Sequence, residues 1–409
     1  MLVGLAVRMA AMPFTFSDLR DPGRNHFRFG WESGQVAAAV ASGHGYSSPL
    51  PTPTGASAWL PPVFPLLLAA VFRIFGIFSA SSAFVILLLD SIFSMLTCIP
   101  VYFIARHGFG EHAAKIAAWG WALFPYAVYY SIGRVWMDCL GALIFAVTFL
   151  MALKLGPASQ LRDWLGWGAL WGLLALTNPA TLAVLPFLLG WIIWRSRVRG
   201  ASVVLMLLVA LAVMSPWMIR NYRVFHRLIP LRDNFWMEMW FGNTGDLSEI
   251  IPDWAHPSTS AQEQAEFARL GEVAYNQKKK QLVLEFVQQH PAEFAGLCLR
   301  RISNFWAGYW SLNPAFLEAE PFTYPNMVFV TETSLITFFG LWMAWKRGLV
   351  AAPYIFVLLF FPPVYYITHS ELEYRHPIEP LMVVLAAYGV SVLFRGHHSN
   401  LHTATASLT

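Results

Sequence analysis

The chain is short of charge. Asp, Glu, Lys and Arg make up only 12% of its 409 residues, about half the share of an ordinary soluble chain. It is short of cysteine too: Cys98, Cys139 and Cys298 form no paired framework and no CxxC spacing, which excludes a disulfide scaffold or a zinc ribbon. Cys98 and Cys139 sit in apolar runs and read as buried small hydrophobes. No acidic or basic tail accompanies the net charge of +4, so nothing points to nucleic acid. There is no P-loop, no GxGxxG opening a helix and no GxSxG, so nucleotide-driven transport and serine-hydrolase chemistry lack their signatures. What the chain has is apolar bulk: 57% hydrophobic residues, with 18 Trp and 32 Phe, and a mean hydropathy of +0.51. That is more apolar surface than a water-soluble core can hide, so the expected class is an all-α polytopic membrane protein in a lipid bilayer.

A span needs about 20 apolar residues to cross roughly 30 Å of hydrocarbon. Runs of this kind cover Ala80–Ile104, Ala113–Ile132, Asp138–Leu155, Val203–Trp217, Met327–Trp345, Val350–Thr368 and Pro377–Phe394. Trp164–Trp194 is too long for one upright helix, about 46 Å at 1.5 Å per residue, and Asn178-Pro179 interrupts it. Proline restricts the residue before it, so this run reads as two short or tilted spans turning at that dipeptide. Met1–Phe14 adds a thin first span that carries Arg8 and lacks the basic leader of a signal peptide. The expected count is about ten.

Basic residues fix the orientation. With the Ala80 span running from outside to inside, the inner segments hold Arg106, Lys115, Lys154, Arg162, Arg195, Arg197, Arg199, Lys346, Arg347 and Arg395, against only Glu111 and Asp163. Both termini are then expected in the cytoplasm. Three segments face outward: Thr15–Ser79, a turn at Gly133–Met137, and Ile219–Pro325. The first contains a short Ala-rich helix, Gly34–Ser42, and a second, Pro61–Ile77, expected to lie in the interface. In the third, a Ser260-x-x-Glu263 capping box opens a helix over Ser260–Gln289. His290-Pro291 ends it, and the aromatic helix Ala292–Trp310 follows. The expected organisation is a catalytic membrane module over 1–218 including the first outer loop 15–79, an outer helical segment over 219–325, and C-terminal spans over 326–409. No fixed-period repeat and no matching halves occur, against an inverted-repeat transporter.

Charges at a membrane boundary are costly and need a reason. Glu32 follows the first span in Phe27-Arg28-Phe29-Gly30-Trp31. Asp138 opens a span just after Arg134. Arg220 and Asn221 close another, and Glu371, Glu373, Arg375 and His376 fill the last outer turn. A carboxylate acts as a general base toward a hydroxyl or helps to hold a divalent cation, while arginine forks match phosphate. Such a mixture suits deprotonation of an acceptor beside a phosphate leaving group. Each residue taken alone also suits anchoring a helix end in the headgroups. Asp90 and Glu332 lie deeper in spans, where they mark either an ion path or a helix–helix hydrogen bond. The spacing His369-x-Glu371-x-Glu373-x-x-His376 is not that of a helical HExxH, which disfavours hydrolytic zinc.

Several motifs occur in order: the outer acid Glu32; Gly43-His44-Gly45-Tyr46-Ser47-Ser48-Pro49; Thr54-Gly55-Ala56-Ser57-Ala58-Trp59-Leu60-Pro61-Pro62-Val63-Phe64-Pro65; Phe75-Gly76; Pro216-Trp217-Met218-Ile219-Arg220-Asn221-Tyr222; Phe241-Gly242-Asn243; and Tyr374-Arg375-His376-Pro377. Together they resemble a bacterial GT-C glycosyltransferase of the family 39 kind, related to protein O-mannosyltransferases and the lipid A aminoarabinose transferase. The resemblance covers nearly the whole chain. It implies a many-helix fold with interfacial helices in the first outer loop, and a site facing away from the cytoplasm of the bacterial inner membrane. It implies transfer, with inversion, of a sugar from a polyprenyl-phosphate donor to a hydroxyl on a protein, lipid or glycan. Glu32 stands where the family commonly has Asp, Asp138 matches its second acid, and either is the base. Arg375 and Arg220, with Arg134, are expected on the donor phosphate. Glu371, Glu373 and His376 are expected to contact the acceptor or a divalent cation (Mg or Mn); no other cofactor is implied. Asn178 stands where many relatives have Arg. The competing reading is a lipid-linked-sugar flippase or other transporter with Asp90 and Glu332 as coupling groups. A membrane scaffold that binds a partner through Ile219–Pro325 is a third.

Overall fold

The computed structural model describes residues 1–20, 29–196, 198, 200–243, 253–310, 314, 317 and 323–406. Phe27, Arg28, Arg197, Arg199 and the stretches 244–252 and 318–322 of the outer segment lie outside the described residues, as does the side chain of Arg395. The described residues are helical and contain no strand, only an isolated bridge between Ser47 and Ala56.

Among the described residues, five helices are long and apolar enough to cross a bilayer: Ala80–Phe109, Pro179–Ser196, Gly200–Phe225, Tyr324–Lys346 and Leu372–Phe394. The count of about ten is not reached on those terms, and the chemistry of the breaks explains the shortfall. The run expected over Ala113–Ile132 divides into Glu111–Leu123 and Pro125–Gly133, because Pro125 cannot continue the ladder and pushes Phe124 to an extended conformation. Pro362-Pro363 separates Ala352–Phe360 from Pro363–Ile367 with Phe361 and Pro362 still at helical dihedrals, the missing proline amides breaking the ladder. Asp138–Lys154 is 17 residues long, about 26 Å. As expected, Asn178-Pro179 interrupts the long run: Leu161–Ala175 ends there and a 3-10 turn, Pro179–Val184, leads into Leu185–Ser196.

Lipid offers no hydrophobic drive between helices, so close backbone approach at small residues takes its place. Leu161–Ala175 lies against Gly200–Phe225 through Gly168 and Gly172. A Cβ on Gly168 would stand 2.3 Å from the Met206 carbonyl oxygen, and one on Gly172 would stand 2.8 Å from that of Ala210. The helix Thr323–Lys346 crosses Glu379–Ala406 in the same way, where a Cβ on Gly340 would meet the Leu385 carbonyl oxygen at 1.9 Å. Arg8, wholly buried, stays in the thin first helix by donating to the carbonyls of Gly4 and Ala122 and to the Ser94 hydroxyl.

The outer layer is built differently. The helix Glu32–Ala41 packs against Val63–Phe75, so the candidate acid is the first residue of its helix, two positions earlier than the expected start. The long helix expected over Ser260–Gln289 is two helices, Ala261–Leu270 and Glu272–Gln289. The Ser260 hydroxyl caps the first by accepting from the Glu263 amide, and Gly271, at φ 76°, separates them. That break points Glu272 inward. Its carboxylate accepts from the Ser57 hydroxyl at 2.6 Å and the Ala58 amide at 2.7 Å, binding the outer segment to the first outer loop. Pro291–Ala307 follows and stops at Gly308.

Candidate active site

The first and second outer turns touch at Gly30. A Cβ there would stand 2.1 Å from the Val135 carbonyl oxygen, so only glycine fits, and Phe29 joins Ile132 and Val135 in one apolar cluster. Phe29, Gly30 and Trp31 all have positive φ, at 65°, 77° and 45°. For the two non-glycine residues that conformation costs on the order of 1–3 kcal/mol each. The strained turn delivers Glu32 to the start of its helix while keeping it close to the turn that delivers Asp138, three residues beyond Val135.

Glu32 is 6% exposed. Its Oε1 accepts from the Ser258 hydroxyl at 3.2 Å and lies 3.4 Å from Nε2 of His256. The ring of His256 lies between Trp31 and Phe241, with centroids at 5.5 and 5.3 Å. Two effects compete on the carboxyl. The helix start and the hydrogen bonds favour the charged form, while burial and the Glu238 charge oppose it. Burial dominates, and the group is pushed up from 4.5 to about 7. Burial likewise pushes His256 down to about 4 and His369 to about 3, so both imidazoles are neutral. Glu238, on the short helix Phe235–Phe241, pairs with Arg232 at 3.0 Å and accepts from Asn234 at 2.5 Å. Its Oε2 lies 3.7 Å from Nδ1 of His369, whose Nε2 is 2.5 Å from the Tyr374 hydroxyl.

Asp138, also 6% exposed, opens its helix where the dipole favours an acid. It lies within the electrostatic reach of Arg134, Glu373 and Glu379. Tyr365 links the two acidic centres: it senses the charges of Asp138, Arg232 and Glu238, and it hydrogen-bonds with Asn178. Asp90, 1% exposed, senses Asp138, so it neighbours this centre. Glu332 is exposed on its helix.

Arg375 is 2% exposed. Its Nε donates to Glu379 at 3.1 Å and its Nη1 to Ser334 at 3.2 Å, while Nη2 finds no partner among the described residues. His376 shares Glu379 through Nδ1 at 2.8 Å and stacks on Trp121. That contact turns His376 away from Glu371 and Glu373. Among the described residues no three His, Cys, Asp or Glu side chains gather in a way that could hold a metal, so the expected trio of metal contacts is not assembled. Arg220 is held by the chain itself. Its donors go to the carbonyls of Ser57 and Tyr46, at 2.5 and 2.6 Å, and to Asn221 at 2.9 Å. It lies over Trp217 and Tyr46. These contacts tie it to the first outer loop.

Sequence reasoning missed the partners of Glu32. His256, Ser258, Arg232 and Glu238 come from the outer segment, where no spacing marks them. The one available hint was Phe241-Gly242-Asn243. A Cβ on Gly242 would meet the Thr368 carbonyl oxygen at 2.0 Å, and Asn243 donates to the carbonyls of Met239 and Ile367 at 2.6 and 2.9 Å. Arg301 reinforces the joint through the Gly242 carbonyl and the Asn243 side chain.

Residues 60–219 match the family model of dolichyl-phosphate-mannose-protein mannosyltransferases. The resemblance to the GT-C glycosyltransferases related to protein O-mannosyltransferases is thereby borne out; Asp138 and Arg134 lie inside the matched stretch, and Glu32, Arg220 and Arg375 outside it. No curated protein matches the chain in sequence. Among solved structures it is similar to the archaeal oligosaccharyltransferase AglB from Archaeoglobus fulgidus, in complex with an inhibitory peptide and a dolichol-phosphate. The identity is 15% and the TM-score 0.48, over 92% of this chain and 47% of that one. It is also similar to ArnT from Cupriavidus metallidurans bound to undecaprenyl phosphate, at 15% identity and a TM-score of 0.40, over 95% of this chain and 77% of that one. The chain spans about half the length of the archaeal oligosaccharyltransferase.

Proposed function

From that family match, we propose that the protein is a membrane glycosyltransferase that moves a sugar from a polyprenyl-phosphate donor to an acceptor hydroxyl, with inversion, on the non-cytoplasmic face of a bacterial inner membrane. The observation that carries this reading is the joint at Gly30 and Val135, which brings together the turns that deliver the buried acids Glu32 and Asp138, the latter within electrostatic reach of Arg134. Glu32 is the base: its contacts are neutral donors, and its carboxyl titrates near neutrality, where a general base works best. It takes the acceptor's proton as the acceptor oxygen bonds to the anomeric carbon. The bond from that carbon to the phosphate oxygen breaks, and the electron pair leaves with the phosphate. Arg375, whose Nη2 has no partner among the described residues, and Arg134 receive that charge. Asp138 orients Arg134, and Arg220 positions the first outer loop.

The test is purified protein in nanodiscs with a panel of polyprenyl-phosphate sugars, following release of polyprenyl phosphate by mass spectrometry with and without chelator. Release that is lost in Glu32→Gln supports the reading. No release from any donor, together with movement of intact lipid-linked sugar across a vesicle bilayer, overturns it in favour of a flippase. A chelator-sensitive rate would show that a divalent cation takes part.

A further inference from the structure

His256 lies in the outer segment, far in sequence from the acid it faces, yet the contacts around it fix its chemistry. The Ser258 backbone amide donates to Nδ1 at 3.1 Å. Nδ1 is therefore an acceptor, and in a neutral ring the proton sits on Nε2, the nitrogen 3.4 Å from Oε1 of Glu32. The ring is 7% exposed and packs against Trp31 and Phe241. Ser258 donates to the same Oε1. Among the described residues, both side-chain contacts of Glu32 fall on one carboxylate oxygen.

We propose that His256 is the positioning residue of the Glu32 carboxylate: its Nε2–H anchors Oε1, Ser258 secures both partners, and proton transfer from the acceptor falls to Oε2. The proposal rests on the transferase reading given above, and it adds that the outer segment completes the site. The charged groups around the pair are Glu238 and Arg232, which act on Glu32, and Glu238 and His369, which act on His256. His256 stays neutral across the working range because burial holds its titration near 4. A donor to the ionised carboxylate lowers its pKa, so losing that donor moves the Glu32 titration upward from about 7.

The experiment has two readouts on the full chain. The first is the Glu32 carboxyl band in infrared difference spectra between pH 5 and 9, identified by its loss in Glu32→Gln. In His256→Phe its midpoint moves upward by about one pH unit, whereas His256→Gln, whose amide donor reaches nearly the same place, stays near wild type. The second is turnover with the polyprenyl-phosphate donor that wild type uses. His256→Phe loses about 10–100-fold in kcat with donor KM little changed, and His256→Gln recovers most of it. Ser258→Ala shifts the midpoint in the same direction by less. An unmoved midpoint in His256→Phe, or equal losses in His256→Phe and His256→Gln, overturns the proposal. Should wild type release no polyprenyl phosphate, the transferase reading falls, while the infrared midpoint still decides the role of His256.

Discussion

Two buried carboxylates join the first outer loop to the outer segment, and they differ in one respect. Glu32 and Glu272 are 6% and 4% exposed, and burial pushes both upward, to about 7 and about 8. Glu272, however, has each oxygen occupied by a donor of the first outer loop, the Ser57 hydroxyl on one and the Ala58 amide on the other. Glu32 has both side-chain partners on a single oxygen and sits on a strained turn beside Asp138. A raised pKa therefore marks burial in both, and it is the hydrogen-bond inventory that distinguishes Glu272 from the proposed base Glu32.

The sharpest way to break this comparison is to make both groups amides. Glu32→Gln is expected to lower turnover by about 10³-fold or more and to leave the melting temperature near wild type, because the amide resembles the neutral carboxyl that burial already favours. In the unaltered protein, kcat/KM rises with pH through about 7, since the base works deprotonated. A rate that is flat from pH 5 to 9 would remove Glu32 from that role. Arg375→Met tests the other half of the site. It is expected to lower turnover by about 10²-fold, and also to destabilise the chain, because Glu379 loses a buried partner; donor release assays and thermal scans read the two effects separately. Gly30→Ala touches neither acid. A new Cβ 2.1 Å from the Val135 carbonyl oxygen forces the first two outer turns apart, and a displacement of about 1 Å near a reacting group costs up to about 10²-fold. Wild-type turnover in that variant would show that the joint does not position the chemistry.

Much of this was legible in the sequence for a physical reason. Lipid makes charge expensive, so Glu32, Asp138, Arg134 and Arg375 stand out against an apolar background, and their positions at the ends of apolar runs place them at the boundary. Proline at 179 announced the break that the structure shows. The same cost does not operate in the outer segment. There His256, Ser258, Arg232 and Glu238 are ordinary polar residues of a polar stretch, and their place is set by docking through Gly242, Asn243, Arg301 and Glu272 rather than by any period. The protein contacts of Arg220 and His376 were not legible for a related reason: an outer arginine or histidine reads the same whether it faces a ligand, a row of backbone carbonyls or a neighbouring carboxylate. The count of spans faltered at prolines 125, 362 and 363, which interrupt apolar runs without interrupting their hydrophobicity.

The smallest expected effect on turnover belongs to Glu272→Gln, and its signature lies in stability. The folded-state pKa of Glu272 stands above its ordinary value of 4.5, at about 8, so the folded protein holds a proton that the unfolded chain has released. Its contribution is then complete below about pH 4.5 and is lost progressively as pH rises through about 8. The glutamine amide does not titrate, so the variant's melting temperature, followed by tryptophan fluorescence, should fall less between pH 5 and 9 than that of wild type. Turnover at pH 7 should change by less than about threefold, because the amide oxygen can still accept from one of the two donors. Glu32 supplies a similar titration ending near pH 7, so the double variant should be flatter than either single one. If Glu272→Gln instead abolishes turnover and keeps the wild-type pH dependence of melting, the roles of the two carboxylates are reversed: the group with both oxygens occupied would be the one that exchanges its proton with the acceptor.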